Sequence, residues 1–172
     1  MNRIDTDRLE LHAFEPSLVV ALHEIFMNPG VRHFLLDEAI VDREWVGREI
    51  AESQKRVAGG GLGLWAVRVR GGSRWIGFTG YREFYQPPQL QLLYALLPEV
   101  WHRGLATEMA HAVIDHTWAS TRMTEIRASI DEPNVASGRV LERLGFTRIG
   151  SSPGDHGWMQ VHFAIAREAH AE

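Results

Sequence analysis

Backbone amides, more than reactive side chains, are what this sequence offers for chemistry. Between Gln89 and Ser120 an apolar run, Leu90 to Leu97, passes through Pro98, Trp101 and Gly104 into a segment where Leu105, Met109, Ala112 and Val113 recur at helical spacing. The run is short and ends at a proline, so the stretch predicts a buried strand, a glycine turn and a helix. Gly104 permits a backbone approach that a Cβ would block, and the first amides of the new helix lack partners inside it. Trp101 to Thr107 is therefore a candidate anion cradle, with amides from His102 to Thr107, a helix-terminus contribution of ~0.3–1 kcal/mol, and Arg103 as an added cation.

Other signals lose their force in context. Gly61-x-Gly63-x-x-Ala66 matches a dinucleotide fingerprint in form, but Trp65 to Val69 directly after it reads as a strand, where the fingerprint must open a helix. The single lysine, Lys55, lies in no Gly-Lys-Ser/Thr context, so a Walker-type phosphate loop is absent. None of the nine histidines falls in a ligand spacing such as His-Glu-x-x-His, and no metal site is expected. Asn134 and Ser137 suit a helix start, since Asn is among the best N-caps and Ser is tolerated three residues on.

The elements that must position these residues follow from periodicity. Arg8 to Ala13 alternates as a first strand; a helix from Glu15 or Pro16 carries Leu18, Leu22, Ile25 and Phe26 and is stopped by Asn28-Pro29-Gly30. After an irregular stretch to Glu38, Asp42 caps a second helix through Ile50 that fades into the polar residues Ala51 to Arg56. Strands over Leu64 to Arg70, Trp75 to Phe84 and Leu90 to Leu97 make an antiparallel meander around Gly71-Gly72-Ser73 and Gln86-Pro87-Pro88. Beyond the helix come a strand from Glu125 to Ile130, a helix from Asn134 closed by Gly145, and a last hairpin of Thr147 to Gly150 and Trp158 to Ala166. Seven strands and four helices in this order predict an α/β (α+β) domain with a mixed sheet.

Composition narrows the class. A chain of 172 residues, 45% hydrophobic and 23% charged, with a formal charge of −4, suits one globular domain and argues against nucleic acid as the main partner. The lack of cysteine excludes thiol catalysis and a disulfide framework and fits a reducing, cytoplasmic setting. With no apolar leader and no membrane-length run, no membrane partner is expected.

The segment Ala95-Leu-Leu-Pro-Glu-Val-Trp-His-Arg-Gly-Leu-Ala106 resembles the acetyl-coenzyme A motif of the GNAT acyltransferase superfamily: Gln or Arg, two residues, Gly, one residue, then Gly or Ala. Here it is Trp101-x-x-Gly104-x-Ala106. Trp in the first place is similar to the ribosomal-protein (Rim-type) N-acetyltransferase branch, with His102 where that branch has glycine. Thr6-Asp7-Arg8-Leu9-Glu10-Leu11 resembles the branch's opening Thr-x-Arg-Leu strand, and Asn134-x-x-Ser137 followed by Leu144-Gly145-Phe146 resembles its second cofactor motif.

The resemblance implies a single GNAT domain over residues 1–172, its mostly antiparallel seven-stranded sheet splayed at the centre with helices on both faces. It implies transfer of acetyl from acetyl-coenzyme A to a primary amine by direct attack, the acceptor being a protein or peptide N-terminus. Alternatives are a small-molecule amine (antibiotic, polyamine or amino acid) and a non-catalytic acyl-coenzyme A binding domain; a homodimer stays open. The implied cofactor-binding residues are Leu96, Trp101, His102, Arg103, Gly104, Leu105, Ala106, Thr107, Asn134 and Ser137. Of these, the Leu96 amide would face the thioester carbonyl, Asn134 the pantetheine amides, and Ser137 the sulfur as proton donor. The branch's usual base, a Glu, is replaced by Gln91, so Glu83 is the candidate base, with His102, His33 and His156 behind it.

Overall fold

Strands whose side chains are apolar on both faces need cover on both, and the helices divide accordingly. The computed structural model describes residues 2–167 and runs β1 (Arg3–Asp5), β2 (Leu9–Ala13), α1 (Val19–Met27), α2 (Pro29–Leu35), α3 (Arg43–Ala58), β3 (Leu64–Val69), β4 (Trp75–Phe84), β5 (Gln89–Leu96), α4 (Leu105–Ser120), β6 (Glu125–Asp131), α5 (Val135–Arg143), β7 (Thr147–Pro153) and β8 (Met159–Ala166). One sheet holds all the strands in the order β1-β2-β3-β4-β5-β6-β8-β7. Leu9, Leu11, Leu92, Ile126 and Phe163 pack on one face against Met109, Val113 and Ile114 of α4 and Leu141 of α5. On the other face Leu64, Ala66, Phe78 and Leu93 pack against Leu22, Ile25, Val46 and Ile50 of α1 and α3.

The sheet has eight strands where seven are expected. The extra one is β1, whose three residues pair Ile4 with Leu11 and are too short to show alternation in the sequence. A second difference is α2: the Asn28-Pro29-Gly30 stop also starts a helix, because the Asn28 side chain accepts a hydrogen bond from Gly30 N–H at 2.9 Å and Pro29 suits the first turn. A third is the length of α3, which continues to Ala58. Its polar end is held by hydrogen bonds, which hydrophobic periodicity does not register: buried Ser53 accepts from Leu64 N–H at 2.8 Å, and Arg56 donates to Leu62 and Tyr81 carbonyls. The Gly59–Gly63 link is a loop, as expected. A Cβ on Gly63 would come within 2.6 Å of Ser53 Oγ, so this glycine is needed for α3 to approach β3.

The sheet is uneven at its middle. Strands β4 and β5 are paired from Gly77↔Leu96 to Phe84↔Gln89, whereas the parallel neighbours β5 and β6 share the pair Gln91↔Arg127 alone. From that bridge toward their C-terminal ends the two strands part. The gap opens beside Tyr94 and Leu96 on one bank and Ser129 to Asp131 on the other.

Candidate active site

The first bank of the gap presents a backbone donor. Leu97 N–H donates to Ile76 carbonyl at 2.8 Å, so residue 97 points its amide toward β4. Hydrogen-bonding direction alternates along a strand, which turns Leu96 N–H and C=O the other way, into the gap. The Leu96 carbonyl there accepts the Trp101 indole N–H at 2.7 Å. Trp101 is thus a strut joining the end of β5 to the loop; its ring edge packs near Gly30 of α2 and its nitrogen is committed to Leu96.

Beyond Trp101 the loop takes the form a cradle requires. His102 has φ +59° and Gly104 φ +74°. The left-handed conformation costs an ordinary side chain roughly 1–2 kcal/mol, a cost His102 bears and a glycine in its place would not. At Gly104 a Cβ would meet only the Arg8 guanidinium, at 3.6 Å, so the space above it is open to a ligand. The helix hydrogen-bond ladder begins with Glu108 N–H on Gly104 carbonyl, leaving the amides of Leu105, Ala106 and Thr107 at the free N-terminus of α4. Open space, amides and the dipole end of a 16-residue helix fit a phosphate group.

The Thr6-Asp7-Arg8-Leu9 motif holds this loop in place. Glu108 in the first turn of α4 accepts from Thr6 Oγ1 at 2.5 Å, Arg8 N–H at 3.0 Å and Arg8 Nε at 2.6 Å. Arg8 Nη1 also donates to the Arg103 carbonyl at 2.8 Å. Burial pushes the Glu108 carboxyl up, but these hydrogen bonds and the Arg8 charge outweigh it and hold it below its ordinary value. The Arg8 side chain is 51% exposed, so the ion pair contributes about 0–1 kcal/mol, against about 1.5–3 kcal/mol for each fully buried side chain such as Met109 or Ile114. Apolar packing anchors α4 to the sheet; the clamp fixes where its N-terminal loop lies.

The far bank carries Asn134 and Ser137. The Asn134 side chain accepts Ser137 N–H at 3.3 Å and caps α5. Tyr94, on β5, reaches across and donates its hydroxyl to the Ser137 carbonyl at 2.9 Å. Burial raises the Tyr94 pKa, so it stays a neutral donor. The Ser137 side chain also hydrogen-bonds the Tyr94 hydroxyl, which opposes that rise.

On the opposite face of the sheet the gap meets ionisable groups from four segments. Asp131, four positions past the Gln91–Arg127 bridge, is level with Ala95, next to Leu96. Burial first, and Asp37 second, raise its pKa, while a hydrogen bond from Gln160 and the nearby His156 and His33 oppose them. Gln160 in turn accepts from the Tyr85 hydroxyl at 2.6 Å, which fixes its amide toward Asp131. His156 pairs with Asp37 at 3.1 Å, and His33 with Glu38. Asp37 and Glu38 hold φ +52° and +66°, a sparsely occupied conformation found more often at functional loops. Phe34 and His33 of α2 contact Trp158 of the β7–β8 turn, with ring centroids 5.7 and 5.9 Å apart. Alongside lies a polar cleft of about 340 Å³ lined by Gln91, Ser129, Ser152 and His162, the imidazole bridging the two serines at 2.7 Å each.

The predicted residues do not all converge. Leu96, Trp101 to Thr107, Asn134 and Ser137 surround the gap, with Trp101 as its strut. Glu83 does not join them: it pairs with Leu90, six residues before Leu96 and so about 20 Å away along β5. His33 and His156 lie beside Glu38 and Asp37 on the Asp131 side of the gap, and His102 is an exposed turn residue. Sequence reasoning missed Asp131, Asp37, Gln160 and the clamp role of Arg8. Among the described residues no group of three or more potential ligands could hold a metal ion, and no helix is long and apolar enough to cross a membrane.

A mixed sheet thus splays beside a helix N-terminus, with an amide on one bank and a hydroxyl on the other. The family model for the acetyltransferase (GNAT) domain matches residues 8–147, and the chain belongs to that family. It is 25% identical over 152 residues to the uncharacterized N-acetyltransferase YoaA of Bacillus subtilis (strain 168), covering 86% of this chain and 84% of that one. In fold it is similar to RimL, the ribosomal L7/L12 alpha-N-protein acetyltransferase, in complex with coenzyme A (TM-score 0.82, 16% identity, 97% and 99% of the two chains). It is similar also to the microcin C7 self immunity acetyltransferase MccE with acetyl-CoA and AMP (TM-score 0.77, 12% identity, 94% and 93%). The protein is a GNAT acetyltransferase.

Proposed function

We propose that the chain transfers the acetyl group of acetyl-coenzyme A to a primary amine by direct attack, with the α-amine of a peptide N-terminus as acceptor. The observation carrying this is the juxtaposition across the gap: an amide at Leu96 on one bank and, on the other, a carboxyl at Asp131, level with the adjacent Ala95. The loop from Trp101 to Thr107 takes the pyrophosphate and Asn134 the pantetheine arm, which places the thioester in the gap. Leu96 N–H donates to the carbonyl oxygen as negative charge builds there. Asp131 takes a proton from the amine nitrogen as the C–N bond forms, and the Ser137 hydroxyl donates a hydrogen bond to the sulfur as the C–S bond breaks, so that coenzyme A leaves as a thiolate that water then protonates. No covalent intermediate on the protein is involved.

The acceptor follows from the strength of the base. An aspartate, even one with a raised pKa, is a weak base beside a lysine amine. An α-amine is already neutral in about one molecule in ten at pH 7, a lysine amine in about one in two thousand. The carboxylates Asp37 and Asp131 favour a cationic approach, and the open cleft along β6 and β8 has the hydroxyls and amides to hold an extended chain. A turnover screen with acetyl-coenzyme A over peptide N-termini, polyamines and aminoglycosides tests this. Peptide α-amines should be the fastest substrates. Preference for a polyamine or aminoglycoside would move the function to small-molecule amines, and coenzyme A binding without turnover of any amine would make the chain a binding domain.

A further inference from the structure

We propose that Arg8 is itself a cofactor-binding residue, offering its free guanidinium nitrogen to the pyrophosphate of the acyl donor above Gly104. This rests on the reading that the loop from Trp101 to Thr107 takes that pyrophosphate. Arg8 is far from the loop in sequence and is expected there only as part of an opening strand. In the structure its Nε is committed to Glu108 and its Nη1 to the Arg103 carbonyl. Nη2 has no hydrogen-bond partner among the described residues and lies 3.6 Å from where a Cβ on Gly104 would be, in the space a phosphate needs.

Two further consequences of the same contacts prepare that space. The Arg103–Gly104 peptide is trans, so holding its carbonyl toward Arg8 turns the Gly104 N–H to the other side of the turn, away from the clamp. Glu108, a carboxylate in the first turn of α4, would by itself repel an anion at the helix N-terminus. Arg8 cancels that charge, and Thr6 fixes the carboxylate from behind, its Oγ1 accepting Leu9 N–H at 2.9 Å while donating to Glu108. A guanidinium suits this place because its planar fork can serve a carboxylate, a carbonyl and a phosphate oxygen at once; an ammonium offers charge without that geometry.

The test is calorimetric titration with coenzyme A across a range of salt, for wild type, Arg8→Ala, Arg8→Lys and Thr6→Val, with melting temperatures alongside. Arg8→Ala should weaken binding by about ten- to a hundredfold and flatten the dependence of affinity on salt. Arg8→Lys should restore the salt dependence and only part of the affinity. Thr6→Val, which loosens the clamp without removing charge, should lower the melting temperature and leave the salt dependence as in wild type. Arg8→Ala with wild-type affinity, or weaker binding with an unchanged salt dependence, would overturn the proposal, as would Thr6→Val flattening the salt dependence equally. A wild-type protein that binds no coenzyme A would instead overturn the reading of the loop.

Discussion

The two sides of the gap are built differently. The donor side is one continuous stretch, the end of β5, the loop and the first turn of α4, whose working groups are amides; Trp101 and Glu108 within it, and Arg8 from just before β2, hold them in place. The opposite side, where the proposed acceptor would enter, is assembled from the end of α2, the loop after it, β6 and the β7–β8 hairpin, and what it presents is side chains: Asp131, Asp37, His33, His156 and Trp158. A backbone site depends on local conformation and leaves its mark in a glycine and a helix start. A side-chain site made from distant segments leaves no spacing to read.

If that contrast is right, the donor side should fail through conformation and the acceptor side through chemistry. The largest effect is expected from Gly104→Val. A β-branched residue at φ +74° is strained and its side chain occupies the phosphate space, so coenzyme A binding should be abolished. Calorimetry on a protein shown to be folded by circular dichroism checks it; wild-type affinity would remove the loop from the site. A smaller effect is expected from Ser137→Ala. Its hydroxyl shares one hydrogen bond with Tyr94, whose donation to the Ser137 carbonyl survives the change, so the melting temperature should move little while kcat falls by about 10²-fold where chemistry limits the rate. An unchanged kcat would leave Ser137 as a helix residue beside its cap, Asn134.

The sequence made the same division visible. Gly104 and Asn134 are legible because turn and cap obey local rules, whereas Leu96 and Ser137 are named only through the family resemblance, and seven of the eight strands follow from alternation, apolar runs and the turns that bound them. Strand β1 escapes because three residues carry no period, and α2 because Pro29 reads equally as a stop and as a start. The polar end of α3 is invisible to a hydrophobic pattern, since Ser53 and Arg56 hold it by hydrogen bonds. Glu83 illustrates the limit for the site: a carboxylate near the right strand is a reasonable base until the β4–β5 register places it opposite Leu90. Asp131 lies at a strand end three residues before the capping Asn134, and only the β5–β6 register places it level with Ala95, beside Leu96.

The most direct measurement is therefore steady-state turnover of Asp131→Asn with acetyl-coenzyme A and a peptide α-amine, paired with coenzyme A affinity and thermal stability. The variant should lose about 10²- to 10⁴-fold in kcat and keep wild-type affinity for coenzyme A. Stability should move the opposite way. The folded protein holds the Asp131 proton to a higher pH than the unfolded chain, so ionising this carboxyl costs stability as pH rises from its ordinary value through its raised one. At neutral pH the Asn variant should accordingly melt no lower than wild type. A kcat within twofold of wild type would contradict the account and return the search for the base to the other ionisable groups at the acceptor mouth.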